Sequence, residues 1–239
     1  MASISDAKKY NRLGDHNQIY RFGRTDYLVT KELPNMIRSN IRIDRVLDFG
    51  CGAGLSTRFI KSLGYHCVGV DVNDEMISLA KKNDPSGEYI KTESQGILPF
   101  INSYFDAVIS VFVLFEIPSI KSMVYSFKEI NRVLNDGGIF IAITGSEELY
   151  KRNWLSLDAN FPENKGCNSG DICKIKLLHV DLVVEDYYWT DNDYYYVANQ
   201  SGFQITKKLF PIGTLQDGIK WKDETKYAPF VFYKFEKLS

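Results

Sequence analysis

From residue 44 onward, short apolar runs alternate with stretches whose apolar residues recur every three or four positions. The runs RVLDFG, HCVGVD, EYIK, FDAVISVFV and IFIAIT predict five strands, and the stretches between them predict helices. The longest stretch, SIKSMVYSFKEINRVL, has an apolar stripe from Ile120 to Leu134 at helical spacing, and the letters NDGG that follow predict a turn. Strands that alternate with helices predict a parallel sheet with helices on both faces.

Capping residues mark several of the predicted helix ends. Gly64 stands where a glycine ends the helix LSTRFIKSL, and Asn73 is predicted to cap the amino end of the next helix. Later in the chain, Asn192 or Thr190 begins a helix that ends before Gly202, and FQITKKLF and FVFYKFEK predict two more strands. The total is seven strands.

The alternation is interrupted after Gly145. SEELYKRN predicts a short helix followed by a polar loop, and ICKIKLLHVDLVVEDYYWT predicts two antiparallel strands that bend near Val180 and Asp181. We therefore expect one α/β domain over residues 1–239, built on a mostly parallel sheet of seven strands, with a small antiparallel cap inserted at 146–190.

Composition restricts the class of protein. The chain is 44% hydrophobic and 25% charged, and its 29 basic and 30 acidic residues give a net charge of −1. This balance favours neither nucleic acid nor an anionic membrane as a partner. The amino terminus lacks the apolar core of a signal peptide, and no run reaches the roughly 18 apolar residues of a membrane span. The four cysteines show no zinc-type pairing, so we expect reduced thiols, no metal and a cytoplasmic location.

The stretch VLDFGCGAG, residues 46–54, contains the strongest chemical signal. Asp48 lies near the end of the first predicted strand, and Gly50, Gly52 and Gly54 follow at alternate positions. Ligands of open parallel sheets bind where the first strand turns into its helix. A pyrophosphate site needs the spacing G-x-G-x-x-G, whereas this stretch reads G-x-G-x-G after a carboxylate. Asp48 suits a ligand with an ammonium or sulfonium group, and Asp71, which ends the second strand, suits a ribose diol.

Four segments in order carry a family resemblance: VLDFGCGAG, VGVDVNDEMISLAKK, LPFINSYFDAVIS and INRVLNDGGIFIAIT. Together they resemble the class I S-adenosylmethionine-dependent methyltransferases, and within them the small-molecule group that includes the ubiquinone, menaquinone and sterol methyltransferases. The resemblance is strong over about residues 40–145 and looser near the carboxyl terminus. It implies a Rossmann-like fold, S-adenosylmethionine as methyl donor and S-adenosylhomocysteine as product.

The resemblance also implies a set of cofactor-binding residues. The methionine part of the cofactor is expected to lie against Asp48, Gly50, Cys51 and Gly52, with its amine at the carbonyl of Ser110. The ribose is expected at Asp71, and the adenine at Val72 and Met76. Glu93 and Ser94 stand where relatives have an Asp that binds the adenine amino group, which is a departure from the family pattern. The segment YRFGRTDY resembles the part of the family that closes over the cofactor, so residues 1–40 are expected to form a helical lid, with Tyr20 and Arg24 as partners of the cofactor carboxylate.

Candidates for the methyl acceptor's site are less defined. Glu116 stands where many relatives have a polar residue near the acceptor, although it also suits a helix cap. His179, on the additional strand pair, is a second catalytic candidate, and a solvated or structural role is its alternative. The candidates for acceptor binding are aromatic: Tyr10, Phe115, Tyr187, Tyr188 and Trp189. On a strand Tyr187 and Trp189 share one face and Tyr188 takes the other, so part of this set is also suited to the core.

Methyl transfer from a sulfonium is an in-line displacement that mainly requires alignment of donor and acceptor. The leading hypothesis is therefore transfer of a methyl group to N or O of a small-molecule acceptor, by a monomer or homodimer. The alternatives are an enzyme that uses the same cofactor for non-methylating chemistry, and a non-catalytic partner subunit that binds it. A nicotinamide-dependent dehydrogenase is disfavoured by the glycine spacing.

Overall fold

The computed structural model describes residues 24–38, 42–93 and 96–238. Its helices are α1 Tyr27–Ile37, α2 Leu55–Ser62, α3 Asp74–Asn83, α4 Ile120–Val133 and α5 Asp191–Gln200. Its strands are β1 Arg45–Phe49, β2 His66–Asp71, β3 Glu88–Lys91, β4 Phe105–Val111, β5 Leu134–Gly145, β6 Leu157–Asp158, β7 Ile172–Leu177, β8 Leu182–Tyr187, β9 Phe203–Leu209 and β10 Phe230–Lys237.

Seven of these strands form one sheet in the order β3-β2-β1-β4-β5-β10-β9. The pairs among β1 to β5 are parallel, and β10 is antiparallel to both of its neighbours. Helices α1 and α2 bury apolar residues against one face of the sheet, and α4 and α5 bury theirs against the other. The predicted α/β architecture, with a seven-stranded and mostly parallel sheet, is confirmed.

The local sequence signals mostly act as predicted. The side chain of Asn73 accepts hydrogen bonds from the backbone N–H groups of Glu75 and Met76, and Thr190 forms a reciprocal capping box with Asp193 at the start of α5. Of the two predicted caps, Thr190 is therefore the one used. Gly64 and Gly202 have φ of +96° and +74°, as glycines that end helices often do.

The NDGG sequence does not separate helix from strand. Helix α4 ends at Val133 and β5 begins at the next residue, Leu134, which pairs with Phe105 of β4. Two residues further along β4, Ala107 already pairs with Ile139, so residues 135–138 form a bulge within β5. The predicted turn is therefore an irregularity at the start of the strand.

Helix α1 belongs to the hydrophobic core. Leu28, Val29, Leu33 and Ile37 are fully buried, and α1 contacts β5. The described part of the 1–40 segment is thus a helix packed on the sheet. Residues 1–23, which include Tyr10 and Tyr20, lie outside the described residues, and the helical lid over residues 1–40 stays a prediction.

The cap is a three-stranded antiparallel sheet in the order β6-β7-β8. The predicted bend of the hairpin is confirmed, since Asp181 has a φ of +51° between β7 and β8. The predicted helix over SEELYKRN is wrong: residues 147–151 form hydrogen-bonded turns. At the far end of β8, the indole N–H of Trp189 donates to the carbonyl of Ile117 at 3.2 Å, which joins the cap to the segment that follows β4.

One buried carboxylate joins three distant parts of the chain. Glu224 is fully buried, and its Oε1 accepts from the hydroxyl of Thr25 at 2.8 Å and from the backbone N–H of Leu155 at 2.6 Å. The backbone N–H of Thr25 in turn donates to the hydroxyl of Ser156 at 3.0 Å. The residues before α1, the cap and the β9–β10 connection therefore meet at this carboxylate, which we call the Glu224 clamp.

A second buried carboxylate makes the stability of the cap dependent on pH. Burial raises the pKa of Asp186 to about 7. The hydroxyl of Tyr150 donates a hydrogen bond to its carboxylate at 2.8 Å, which lowers the pKa and offsets only part of this increase. Because the folded-state pKa lies above the unfolded value of 3.8, the group favours folding most strongly at acid pH. Its contribution declines as the pH rises from about 4 to 7 and is constant above that range.

We expect Asp186→Asn to be more stable than the wild type at pH 8, because the amide removes the buried charge and still accepts from Tyr150. A shift of about three pKa units corresponds to an upper limit on the order of 4 kcal/mol. Urea unfolding at pH 5 and pH 8 measures the difference. Glu185→Gln, on the exposed side of the same strand, is the control and should show no such change; equal stability of Asp186→Asn and wild type at pH 8 would contradict the assignment.

Candidate functional site

The site is built on the turn between β1 and α2. Gly50, Gly52 and Gly54 have φ of +79°, +50° and +80°, so all three adopt the left-handed conformation that favours glycine. The turn is held to β2 by its own N–H groups: those of Gly50 and Cys51 donate to the carbonyl of Val70, each at 2.9 Å. These N–H groups therefore make hydrogen bonds within the protein, and the contacts of Gly50 and Cys51 with the cofactor stay a prediction.

The three glycines have different reasons for lacking a side chain. A Cβ at Gly50 would lie 2.3 Å from a methyl group of Val113, and one at Gly54 would lie 2.7 Å from the hydroxyl of Tyr89. A Cβ at Gly52 would meet no atom within 4 Å. Gly50 and Gly54 thus permit close packing inside the domain, whereas Gly52 borders open space. Gly52 is therefore the glycine of the three with space for a ligand beside it.

Asp48 lies beneath this turn and is fully buried. Its Oδ2 accepts hydrogen bonds from the hydroxyls of Ser56 and Thr57 in the first turn of α2, each at 2.6 Å. Its Oδ1 is buried and has no hydrogen-bond partner. Burial raises the pKa of Asp48 to about 6, the two hydroxyls lower it, and the charge of Asp71 adds a smaller increase. A buried acceptor without a donor fits a ligand that brings a cationic N–H group.

We expect ligand affinity to depend on the ionisation of Asp48. A ligand ammonium favours the carboxylate form, so the pKa of Asp48 falls on binding, and at pH 6 the complex forms with release of protons. Affinity for S-adenosylhomocysteine, which has the same amino-acid part as the methyl donor, should fall by up to tenfold for each pH unit below about 6. Calorimetry in buffers of different ionisation enthalpy measures the number of protons released on binding. Asp48→Asn should bind more weakly with no proton release at pH 6, and an unchanged release in that variant would contradict this role.

Asp71 ends β2 and supports the same turn. Its Oδ2 accepts from the backbone N–H of Gly52 and its Oδ1 from that of Asn73, both at 2.8 Å. Burial raises the pKa of Asp71, while these backbone hydrogen bonds lower it. Each carboxylate oxygen has a further lone pair, so Asp71 can still accept the hydrogen bonds of a ribose diol. Asp71 therefore holds the glycine turn in addition to its proposed contact.

The other predicted cofactor residues lie in varied surroundings. Val72 is 55% exposed beside Asp71, as expected of an apolar side chain that contacts a ligand, whereas Met76 is buried in α3. The side chain of Cys51 is buried, and burial raises the pKa of its thiol well above the usual range, so it contributes backbone to the site. Ser110 is buried at the end of β4, and its hydroxyl has no partner.

Two predicted contacts, Arg24 and Glu93, are not brought to the turn by the described structure. Arg24 makes a bidentate ion pair with Asp26, at 3.0 and 2.8 Å, at the start of α1. Glu93 is exposed and pairs with Lys91 at 2.5 Å. Ser94 lies outside the described residues. A role for Arg24 in binding the cofactor carboxylate would require exchange of its partner, and it stays a prediction, as do the adenine contacts.

The candidates for acceptor chemistry separate into two groups. Glu116 is exposed on the single 3₁₀ turn Leu114–Glu116 after β4, near the site, and it does not cap α4, because Ser119 does. Phe115 is partly exposed on the same turn. His179 is exposed in the β7–β8 turn, at the opposite end of the hairpin from Tyr187, roughly 20 Å away along strands of this length. The structure thus brings Glu116 and Phe115 to the site and leaves His179 apart.

The aromatic cluster of the cap is mostly core. Tyr188 and Trp189 are buried, and they pack into the hydrophobic clusters on opposite faces of the large sheet. Tyr187 is partly buried and stacks on Trp189 with ring centroids 6.3 Å apart, so the predicted sharing of one face is correct. Acceptor binding by these residues stays a prediction, and the exposure of Tyr187 favours it among the three.

Several contributors to the site were not anticipated from sequence. Ser56 and Thr57 hold Asp48, and Val113 packs against Gly50. The consecutive hydroxyls at the start of α2 were a usable signal, since buried carboxylates need donors. The site also has a neighbouring cleft of about 410 Å³ at the end of β5, lined mainly by aromatic and acidic residues, which include Glu147, Asp191, Tyr194, Tyr227 and Tyr233.

Two further kinds of site are absent from the described ranges. No group of three or more His, Cys, Asp or Glu side chains converges there as metal ligands. No helix in the same residues is long and apolar enough to cross a membrane.

The sheet order, the glycine turn and the two acids define a nucleotide-binding α/β domain of the Rossmann-like class, whose unpartnered carboxylate oxygen fits the ammonium group of S-adenosylmethionine. A family model described as "Methyltransferase domain" matches residues 47–142. Residues 47–142 are therefore a methyltransferase domain, and this match together with the fold supports the class I S-adenosylmethionine-dependent methyltransferase superfamily.

Curated relatives agree with this assignment. An uncharacterised protein of Methanocaldococcus jannaschii is 32% identical over 138 residues, which is 55% of this chain and 51% of that one. A demethylmenaquinone methyltransferase of Tropheryma whipplei is 28% identical over 173 residues, 68% of this chain and 67% of that one. A shorter match of 66 residues, 28% of this chain and 24% of the other, is 36% identical to an 18S rRNA (guanine-N(7))-methyltransferase of Bos taurus. The chain thus spans between a quarter and two thirds of the length of these relatives, and about half of the first.

A solved structure supports the fold over nearly the whole chain. A putative S-adenosylmethionine-dependent methyltransferase from Listeria monocytogenes superposes with a TM-score of 0.64 at 20% identity, over 89% of this chain and 99% of that one. At this identity the likeness concerns the fold.

Proposed function

We propose that this protein transfers the methyl group of S-adenosylmethionine to a nitrogen or oxygen atom of a small-molecule acceptor. The observation that carries the proposal is the preformed glycine turn above Asp48, where a buried carboxylate oxygen has no donor and Gly52 borders open space. When bound, the cofactor supplies an electrophilic methyl group on a sulfonium. The protein's own contribution is to orient the amino-acid part through Asp48 and the ribose through Asp71.

The order of the strands supports a location for the acceptor. Strand β4 is the neighbour of β1 and β5 is the next strand along, and neighbouring strands are about 4.8 Å apart, so their carboxyl ends lie about 5 and 10 Å from the glycine turn. The segment after β4, the cap and the aromatic cleft after β5 are therefore within reach of a methyl group held above β1. Ligand pockets typically have volumes of about 300–1,000 Å³, and the cleft of 410 Å³ falls within this range.

A small acceptor is favoured over RNA by the charge of the chain. The sequence carries 29 basic and 30 acidic residues, whereas RNA-binding surfaces concentrate Lys and Arg. The demethylmenaquinone methyltransferase relative also covers more of the chain than the rRNA methyltransferase relative does.

We further propose a cytoplasmic enzyme that acts as a monomer or homodimer and needs no metal. Glu116 is the candidate for taking a proton from the acceptor.

The test combines binding with turnover. In a thermal-shift panel, S-adenosylmethionine and S-adenosylhomocysteine at a hundred times their dissociation constants should each stabilise the fold by about 2.7 kcal/mol, and NAD should not. In a second step, S-adenosylhomocysteine release is measured with fractionated small-molecule extracts and with total RNA as methyl acceptors. Release with small molecules supports the proposal. Release of S-adenosylhomocysteine with RNA alone would show that the acceptor is RNA. A thermal shift with NAD alone would contradict the assignment of S-adenosylmethionine as the cofactor.

A further inference from the structure

The backbone of Phe112 is unusual for its residue type. Phe112 directly follows β4 and has a φ of +61°, in the left-handed region that bulky residues rarely adopt. Its N–H donates to the carbonyl of Ile143 in β5 at 2.8 Å, which holds the residue in this conformation. The other non-glycine residues with positive φ in the described ranges, Ser103 and Asp181, are polar and lie in connections outside the strands. Strained backbone of this kind persists where the surroundings fix it, and it is concentrated at ligand-binding sites.

The strained residue lies beside the cofactor turn. The next residue, Val113, occupies the space next to Gly50, where a Cβ would come within 2.3 Å of its methyl group. The segment 112–115 therefore packs directly on the turn that is proposed to hold the methionine part of the cofactor.

Three phenylalanines surround this point. The ring of Phe112 is stacked on that of Phe115, with centroids 6.1 Å apart and planes inclined by 16°, and it contacts the ring of Phe230 at 4.7 Å. Phe230 is buried, whereas Phe112 and Phe115 are both partly exposed. We call these residues the Phe112 platform. Two nearly parallel rings that reach solvent over a buried third ring offer flat apolar surface without a hydrogen-bonding side-chain group.

We propose that the Phe112 platform binds the methyl acceptor through a planar unsaturated ring, and that Phe112 is a specificity-determining residue. The proposal rests on the proposed methyltransferase function and names the acceptor class within it. Aromatic side chains favour offset-stacked and edge-to-face contacts with planar rings, and their faces also attract a neighbouring cation such as a sulfonium. A saturated acceptor of the same size has no such contacts and is expected to bind more weakly.

The experiment measures binding without turnover. The protein is saturated with S-adenosylhomocysteine and titrated with 2-naphthol and with its saturated counterpart, decahydro-2-naphthol, using ligand-observed NMR. We expect 2-naphthol to bind at least tenfold more tightly than the saturated compound. Phe112→Ala and Phe115→Ala should each weaken 2-naphthol binding about tenfold and leave the affinity for S-adenosylhomocysteine unchanged. Tyr196→Ala, which removes an exposed ring on α5, is the matched control and should change neither.

A second variant separates binding from folding. Phe112→Gly removes the ring and also relieves the left-handed backbone, so it should unfold at a higher temperature than Phe112→Ala while binding 2-naphthol equally weakly. Equal affinity for the two probes, no binding of 2-naphthol, or unchanged binding in Phe112→Ala and Phe115→Ala would overturn the inference. Failure of the proposed function would instead show as a lack of S-adenosylmethionine binding, or as no S-adenosylhomocysteine release with any acceptor.

Discussion

Gly52→Val is expected to abolish measurable binding of S-adenosylmethionine while the domain remains folded. A Cβ at this position meets no protein atom within 4 Å, so the branched side chain projects into the space that the cofactor needs. The left-handed backbone, with a φ of +50°, adds a stability cost of about 1–2 kcal/mol for any L side chain. Calorimetry gives the affinity, and chemical unfolding gives the stability.

The chain offers a matched control for this variant at the other end of α2. Gly64 also has a left-handed backbone, and a Cβ there likewise meets nothing within 4 Å. Gly64→Val should therefore lose a similar amount of stability and keep wild-type affinity. If both variants lost affinity equally, backbone strain rather than occupation of the site would be responsible, and the ligand would have to bind elsewhere.

Asp71→Ala is expected to have the second-largest effect, on both affinity and stability. Loss of hydrogen bonds to a charged group costs about 1.5–3 kcal/mol of binding free energy, which is roughly 10- to 150-fold in the dissociation constant. The backbone N–H groups of Gly52 and Asn73 also lose their acceptor, which should cost about 1–3 kcal/mol of unfolding free energy. Calorimetry measures the loss of binding free energy, and urea unfolding measures the loss of unfolding free energy.

The control for this prediction is Asp74→Ala. Asp74 is an exposed acid three residues further on, in the first turn of α3, and it is not a predicted cofactor contact. Its removal should change affinity little and cost less than 1 kcal/mol of stability, the usual size of a helix-dipole interaction. A wild-type dissociation constant in Asp71→Ala would exclude Asp71 from the binding site.

The strands and helices of the large sheet were predictable because each has a local cause. The apolar runs of β1, β2 and β4 are buried on both faces, and Asn73 and Thr190 cap helices as their side chains allow. Predictions failed where a distant partner decides the conformation. The NDGG segment forms a bulge because β5 pairs with β4 both before and after this segment. The four residues themselves carry no signal of that pairing.

For the site, sequence indicated which residues form the turn and less clearly how they are used. The glycine spacing predicted the turn but not that Gly52 is the glycine of the three that borders open space. It also did not indicate that the N–H groups of Gly50 and Cys51 donate to Val70, which depends on the proximity of β2. Trp189 has a polar edge that suits a pocket, but that edge donates to Ile117 and the ring is buried. No sequence pattern predicts the left-handed backbone of Phe112, since its cause is the hydrogen bond to Ile143.

The Glu224 clamp has a consequence for biosynthesis. Thr25 and Glu224 are separated by 199 positions in the chain, and ribosomes add about 5–20 residues per second. Glu224, which accepts the hydrogen bond of the Thr25 hydroxyl, is therefore synthesised about 10–40 s after Thr25. Until Glu224 is made, the Thr25 hydroxyl and, once it is made, the N–H of Leu155 lack the carboxylate that accepts their hydrogen bonds. The clamped form of the amino-terminal segment and the cap is therefore completed only when the last strands emerge, so chains truncated before residue 224 should be more easily cleaved by protease at these segments than the full-length protein.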